Sequence, residues 1–259
     1  MPSNVSRNAS SKLVNVLVGP EEKHYVLHKG TVCHHSEWFR VACERSLNAN
    51  EVVYREGCKY MALRDVEPEI FAIFVDWLYK QQLPSSMRDL IYLAEPVATY
   101  RGNMIKRSEL YLLKACAFGE RFHALLFKHD AHNLYINWKG QQPSFYESII
   151  WAFENLREQL PVLDFMVDAQ CLLWDPYDDG DGEIALRDQL PQEFLLRVMM
   201  RSHGLRSWTQ GPRQLNLCSY HLHRTLAEQD VCPSGTTGRR HSRQASPSRL
   251  YQSRRRTYT

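Results

Sequence analysis

The sequence is sparing in glycine, and it lacks the short motifs through which many enzymes bind phosphate, a metal or an acyl group. Only 12 of its 259 residues are glycine, and no glycine-rich phosphate-binding loop occurs. There is no Gly-x-Ser-x-Gly elbow, no His-Glu-x-x-His pair and no Cys-x-x-Cys pair. These absences count against an enzyme, and we expect no catalytic and no cofactor-binding residues.

Long apolar runs are also missing. None reaches the roughly 18 residues that a membrane-spanning helix needs. Val14–Gly19 is too short for the apolar part of a signal peptide, and the residues before it are rich in Ser and Asn. The seven cysteines are an odd number. We therefore expect an intracellular protein, in the nucleus, the cytoplasm or both, with thiols that are free or metal-bound.

Acidic residues are absent from the end of the chain. Residues 231–259 contain seven arginines and no acid, which leaves 25 basic and 29 acidic residues in the rest. Ser, Arg, Gly and Pro dominate 233–259, so we expect a disordered basic tail there and a disordered polar segment at 1–11. Arg239-Arg240 and Arg254-Arg255-Arg256 resemble a two-part nuclear import signal. A nuclear, nucleic-acid-associated transcriptional regulator that uses this tail is one open function.

Hydrophobic patterning predicts an α+β protein with strands first and helices after them. The predicted strands are 13–18, 24–27, 51–54 and 59–63, and the predicted helices are 29–34, one beginning after Ser36, 68–79, 87–94, 109–118, 122–134, 143–156, 160–173 and 191–200. The helix that begins at Pro68 is apolar on so wide an arc that we expect it to be buried nearly all round. Phe71, Val75 and Tyr79 form one of its two apolar stripes.

Three motifs resemble those of BTB/POZ domains. They are Val14–Gly19 with Tyr25–Lys29, then Ser36-Glu37-Trp38-Phe39, and finally the Pro-x-x-Phe-x-x-Phe-x-x-Trp-Leu-Tyr pattern of Pro68–Tyr79. The Trp-Leu-Tyr ending and the helical C-terminal half resemble fungal BTB proteins in particular.

This resemblance implies a BTB/POZ-like domain at 12–135, with a small sheet and helical hairpins, and a helical extension at 136–232. It also implies a non-enzymatic protein-protein interaction module that self-associates or scaffolds a regulatory complex such as a cullin-based ubiquitin ligase. Cullin-binding members carry an apolar-x-Glu step, and the nearest match here is Ala49-Asn50-Glu51. Met1–Ser11 is too polar to supply the N-terminal helix that some members exchange in a homodimer.

The extension contains residue types that zinc prefers. Two residues separate Cys218 from His221, His223 follows on the same face of an extended chain, and Cys232 returns from a loop. These four residues form a candidate zinc site, and because apolar periodicity fades beyond Arg201, we expect little besides a metal to order this region. The spacing matches none of the common zinc-finger patterns, so polar surface is the competing interpretation.

Two other constellations favour structural roles. Adjacent helical residues point in different directions, so Cys33-His34-His35 is not a preorganised nucleophile and base. The acidic stretch Asp175–Glu183 places no carboxylates at calcium-loop ligand positions in either register of its glycines, and we predict a solvated acidic loop.

Overall fold

The computed structural model describes residues 13–44, 52–55, 58–95, 104–205 and 214–234. Within them the chain is an α+β protein in which a four-stranded mixed sheet comes first and helices make up nearly all of the rest. The predicted α+β class is therefore confirmed, while the specific BTB/POZ architecture stays a prediction. No helix in these ranges is both long enough and apolar enough to cross a membrane.

The sheet consists of two antiparallel strand pairs joined through a parallel one. Its strands are β1 (Leu13–Val18), β2 (Lys23–His28), β3 (Val52–Arg55) and β4 (Cys58–Leu63). The order across the sheet is β2-β1-β4-β3, with β1 parallel to β4. All four predicted strands are present, and only β1 has both predicted ends; the other ends lie within one residue of the prediction.

Eleven α-helices occur in the described residues. They are α1 (Lys29–His35), α2 (Glu37–Glu44), α3 (Pro68–Lys80), α4 (Met87–Ala94), α5 (Met104–Arg121), α6 (Leu125–Lys139), α7 (Tyr146–Asn155), α8 (Pro161–Leu173), α9 (Asp181–Ile184), α10 (Gln192–Leu205) and α11 (Leu226–Asp230). The described residues also contain the short 3-10 helices Arg187–Gln189 and Leu217–Tyr220.

Several predicted helix ends are wrong, and two of the errors have a local cause. Helix α5 begins at Met104, five residues before its predicted start. The prediction missed this turn because Met104 and Ile105 are exposed and give no periodic signal. Helix α6 does not begin at Phe122, since His123 has a φ of +49° and turns the chain between α5 and α6. Helix α7 starts at Tyr146 rather than at Pro143, and α10 continues past Met200 to Leu205.

Helix α3 lies at the centre of the core, as its sequence predicts. Six of its residues are buried, and Phe74 and Phe71 are fully inaccessible. The expectation that the helix is buried nearly all round is wrong for the C-terminal part of one stripe: Val75 is half-buried and Tyr79 is 48% exposed. The Tyr79 hydroxyl instead accepts a hydrogen bond from the backbone N–H of His28, which ties the end of α3 to β2.

Gly19 lets the turn after β1 pack directly on the start of α3. Its φ is +76°, which a residue with a Cβ rarely adopts. A Cβ at this position would lie 2.8 Å from Cγ of Pro68. The Gly19 N–H also donates to the carbonyl oxygen of Leu63 at 3.0 Å, so the turn is fixed to β4 as well.

Ser36 connects the first helix pair to the later helices. Its hydroxyl accepts a hydrogen bond from the N–H of Phe39 at 3.2 Å, which confirms that it caps α2. The same hydroxyl donates to the carbonyl oxygen of Phe122 at 2.6 Å, and Ser36 is completely buried. The rings of Phe39 and Phe122 lie 6.0 Å apart, so the cap and the aromatic packing join the same two elements.

A buried ion pair joins α5 to α6. The Lys139 ammonium donates to Glu109, and each side chain is only 4% exposed. The other Glu109 oxygen accepts from the N–H of Phe145 at 3.3 Å, just before α7. Helix α6 runs across residue 135, the predicted end of the first domain, and buried residues on both sides of it belong to one hydrophobic core.

The acidic stretch Asp175–Glu183 is more structured than a solvated loop. Its last residues open the short helix α9, and Asp179 is 7% exposed. Asp179 accepts hydrogen bonds from Trp174, Arg187 and Tyr146. Its carboxylate is therefore occupied by protein donors.

Three predictions lie outside the described residues. They concern the polar segment 1–11, the Ala49-Asn50-Glu51 step and nearly all of the basic tail at 233–259.

Candidate metal centre

The last described segment, residues 214–234, crosses α6 and α8 and is named here the C-terminal strap. Leu215 and Cys218 are buried, and the backbone of the strap is hydrogen-bonded to Asn133 and Gln141. The expectation that little besides a metal would order this region is therefore wrong. Apolar periodicity gave no signal here because side-chain-to-backbone hydrogen bonds carry much of the order, and these have no period.

Three of the four predicted ligands lie together. One ligand atom each of Cys218, His223 and Cys232 falls in a group whose members are all within 4.8 Å of one another. Cys218 Sγ and His223 Nε2 are 3.8 Å apart. Both thiols are buried and the imidazole is half-buried, so the group is largely shielded from water.

Local structure explains how these residues meet. The 3-10 helix Leu217–Tyr220 carries Cys218 and is followed by His223 in an irregular stretch. The Thr225 hydroxyl then caps α11 by accepting the N–H of Glu228 at 3.1 Å. A turn after α11 places Cys232 beside Cys218, with the Cys232 N–H donating to the carbonyl oxygen of Gln229.

His221 stands at the edge of the group. It is not one of the three mutually close residues, but its Nδ1 lies 3.3 Å from Cys232 Sγ. Its ring centroid is 5.9 Å from that of His223. The other nitrogen, Nε2, is buried and has no hydrogen-bond partner among the described residues. The fourth predicted ligand is thus adjacent to the site.

Burial disfavours the charged forms of two of these side chains. Burial, together with the neighbouring Cys232 thiol, raises the pKa of Cys218 to about 11. Burial also lowers the pKa of His221, and His223 and His129 act in the same direction. The Cys218 thiol is thus protonated and the His221 imidazole neutral at pH 7. A divalent metal bound here would displace the thiol proton and turn Cys218 into a thiolate ligand.

The distances fit a small tetrahedral metal. Zinc bonds of about 2.3 Å to sulfur and 2.0 Å to nitrogen give a sulfur–nitrogen edge of about 3.6 Å in a tetrahedron. The Cys218–His223 and Cys232–His221 sulfur–nitrogen distances, 3.8 Å and 3.3 Å, lie on either side of that value. Thiolate and imidazole donors suit zinc and exclude calcium or magnesium, which take oxygen ligands.

Sequence reasoning missed the contacts that attach this group to the helices. His129 Nε2 lies 3.4 Å from a Glu228 oxygen, and the Tyr220 hydroxyl donates to Asp168 at 2.6 Å. Asp168 is a buried carboxylate on α8, and the Arg201 guanidinium binds both of its oxygens. The sequence signal for these contacts was Asp168 itself, a charged residue inside the apolar pattern of α8.

The other cysteine–histidine constellation shows no reactive geometry. Burial and the adjacent Cys43 thiol raise the pKa of Cys33 to about 12. Its Sγ lies 3.6 Å from the carbonyl oxygen of Phe39, and the neighbouring His35 ring packs against Trp77. These contacts favour the structural interpretation of Cys33-His34-His35.

Comparison with known proteins provides no relative. No model of a protein family matches the chain, and the search of curated proteins found no match.

Proposed function

We propose that this chain is a non-enzymatic protein-interaction module of the BTB/POZ type, whose C-terminal strap binds a structural zinc ion. It would act inside the cell, in the nucleus or the cytoplasm, where thiols stay reduced. Its partners would be proteins: a second copy of the chain, or a larger regulatory assembly such as a cullin-based ligase.

The element order supports the BTB/POZ part of this proposal. A β-hairpin, a helix pair, two more strands, an apolar helix and further helix pairs follow one another as in the motif-based expectation. The residues of the second and third motifs meet in one aromatic cluster. Phe39 packs on Phe74 with ring centroids 6.3 Å apart, and Phe74 packs on Phe118 at 4.9 Å.

Exposed apolar side chains on α10 support an interaction role. Leu195 and Met199 are 47% and 65% exposed, and Leu196 and Met200 repeat this pair one position along the helix. Side chains four apart lie on the same face of a helix. Contiguous apolar surface of this kind is typical of protein interaction sites.

Affinity purification with matched variants tests the interaction role. Tagged full-length chain would be compared with the double variant Leu195→Glu/Met199→Glu and with a control carrying Leu226→Glu, an exposed change on α11. We expect specific protein partners with the wild type and the control, and their loss with the double variant. A wild-type chain that retains no protein above the tag alone would contradict the proposal.

The same purification separates the nucleic-acid alternative. Retained nucleic acid that disappears as salt is raised, and that requires residues 233–259, would favour a regulator that binds through its basic tail. Protein partners that survive deletion of the tail would favour the interaction module.

Elemental analysis tests the zinc site. Purified chain should contain about one zinc per molecule, because Cys218, His223 and Cys232, joined by the adjacent His221, would provide the four ligands of a closed structural site. Cys218→Ser should remove the metal, whereas Cys43→Ser, a matched change in α2, should not. Metal-free protein whose C-terminal proteolysis pattern is unchanged by a chelator would exclude the site.

A further inference from the structure

Two amide side chains hold the strap by its backbone. Asn133 on α6 donates from Nδ2 to the carbonyl oxygen of Leu222 at 2.9 Å and accepts the N–H of the same residue at 2.8 Å. Gln141, two residues beyond the end of α6, makes the same pair of bonds with Leu215 at 2.9 and 2.8 Å. Each amide satisfies both backbone groups of one strap residue, as a neighbouring β-strand would.

Between Leu215 and Leu222, the large side chain of Tyr220 packs against α8. The Tyr220 ring packs against Phe165 of α8 with ring centroids 5.5 Å apart, and its hydroxyl donates to Asp168 at 2.6 Å. His132 of α6 is fully buried and hydrogen-bonds through Nε2 to the carbonyl oxygen of Tyr220 at 2.8 Å. A tyrosine at this position therefore has a specific pocket and a fixed backbone.

These contacts are of the two kinds that peptide-binding grooves use, bonds to the backbone and pockets for side chains. Backbone hydrogen bonds give affinity for an extended segment, and side-chain pockets give specificity. Leu215 is buried at one end and Tyr220 fills the pocket. The groove lies on α6 and α8, while its occupant comes from the end of the chain.

We propose that α6 and α8 form a docking groove for a segment with the sequence of residues 215–222, which the chain's own strap fills in cis and the strap of a second copy can fill in trans. The contacts are the same in both cases, as in domain swapping. The intramolecular strap has the advantage of a high effective concentration. Exchange is therefore expected when the cis strap is impaired. This goes beyond the proposed function, because it requires neither the BTB/POZ architecture nor bound zinc.

A complementation experiment with two full-length variants tests this proposal. The first has an impaired strap and an intact groove: Leu215→Pro removes the N–H that Gln141 accepts, and Tyr220→Ala empties the pocket. The second has an intact strap and an impaired groove, through Asn133→Ala and Gln141→Ala. We expect a 1:1 heterodimer by light scattering only when the two are mixed. The control partner combines all four changes and should form none.

A labelled synthetic peptide of residues 214–225 gives a second measurement. The fluorescence anisotropy of the peptide should rise when it binds the impaired-strap chain. The peptide should bind the wild-type chain at least about tenfold more weakly, because the strap of that chain already occupies the groove. Adding Asn133→Ala and Gln141→Ala should abolish binding. The control Asn155→Ala should not, because the Asn155 amide donates to the carbonyl oxygen of Trp151 within its own helix α7.

Two results would overturn the proposal. One is an impaired-strap chain that keeps its helical circular dichroism but binds neither the peptide nor the second variant. If that chain does not fold, Tyr220→Phe replaces it, because this change removes only the hydroxyl bond to Asp168. The second result is that the Tyr220→Phe chain binds the peptide no more tightly than the wild-type chain does.

Discussion

Replacing Lys139 by methionine should destabilise the protein far more than the same replacement at the surface. The change removes the ammonium that balances Glu109, whose side chain is 4% exposed. Leaving a buried carboxylate without its partner costs about 3–5 kcal/mol. The matched control is Lys80→Met: Lys80 is 61% exposed, pairs with Asp76 on the surface of α3, and should cost less than about 1 kcal/mol.

The double variant Glu109→Leu/Lys139→Met separates the ion pair from the packing around it. It buries no charge, but it leaves the Phe145 N–H without the acceptor that lies 3.3 Å away in the wild type. We expect a loss of about 1–3 kcal/mol, smaller than that of Lys139→Met alone. Urea unfolding followed by circular dichroism measures all four free energies.

The pH dependence provides an independent check on the mechanism. Burial raises the pKa of Glu109 above its ordinary value of 4.5, although Lys139 and the hydrogen bond from the Phe145 N–H oppose that rise. Without Lys139 the pKa of the folded state should rise further. The folded Lys139→Met chain then binds a proton that the unfolded chain does not, so its stability should increase as pH falls from about 8 to about 5. A loss below 1 kcal/mol, or one that is independent of pH, would refute this reasoning.

Three further predictions concern the core, a helix cap and the N-terminus. Phe74→Ala should cost about 3–5 kcal/mol because the fully buried ring packs on several other aromatic rings, while Tyr92→Ala at an exposed site should stay within about 0.5 kcal/mol in the same urea assay. Ser86→Ala should cost about 1 kcal/mol, since Ser86 Oγ accepts the N–H of Asp89 at 3.1 Å and caps α4; an unchanged melting curve would contradict that. Deleting Met1–Ser11 should leave the sedimentation coefficient at that of the parent oligomeric state, and conversion of a dimer to a monomer would show that this segment is exchanged.

Local signals in the sequence were sufficient for most of the elements. Periodic apolar patterns placed all four strands and the helices from α1 to α10 except α9, because each of these elements buries one face and its apolar residues repeat accordingly. Helix α9 has no buried residue and gave no such pattern. Pro68 and Ser36 marked helix starts through chemistry that acts within one turn. The ends failed where the boundary depends on exposed residues, as at Met104, or on a single left-handed residue, as at His123.

The candidate site was predictable in its residue types and not in its arrangement. The sequence by itself determined that Cys218, His221, His223 and Cys232 have zinc-type donors within one short segment. Only the tertiary structure decided that three of them converge while His221 lies against Cys232, and that the strap is held by the helices. The physical reason is distance along the chain: Asn133 and Leu222 are 89 residues apart, and nothing local encodes a hydrogen bond between them.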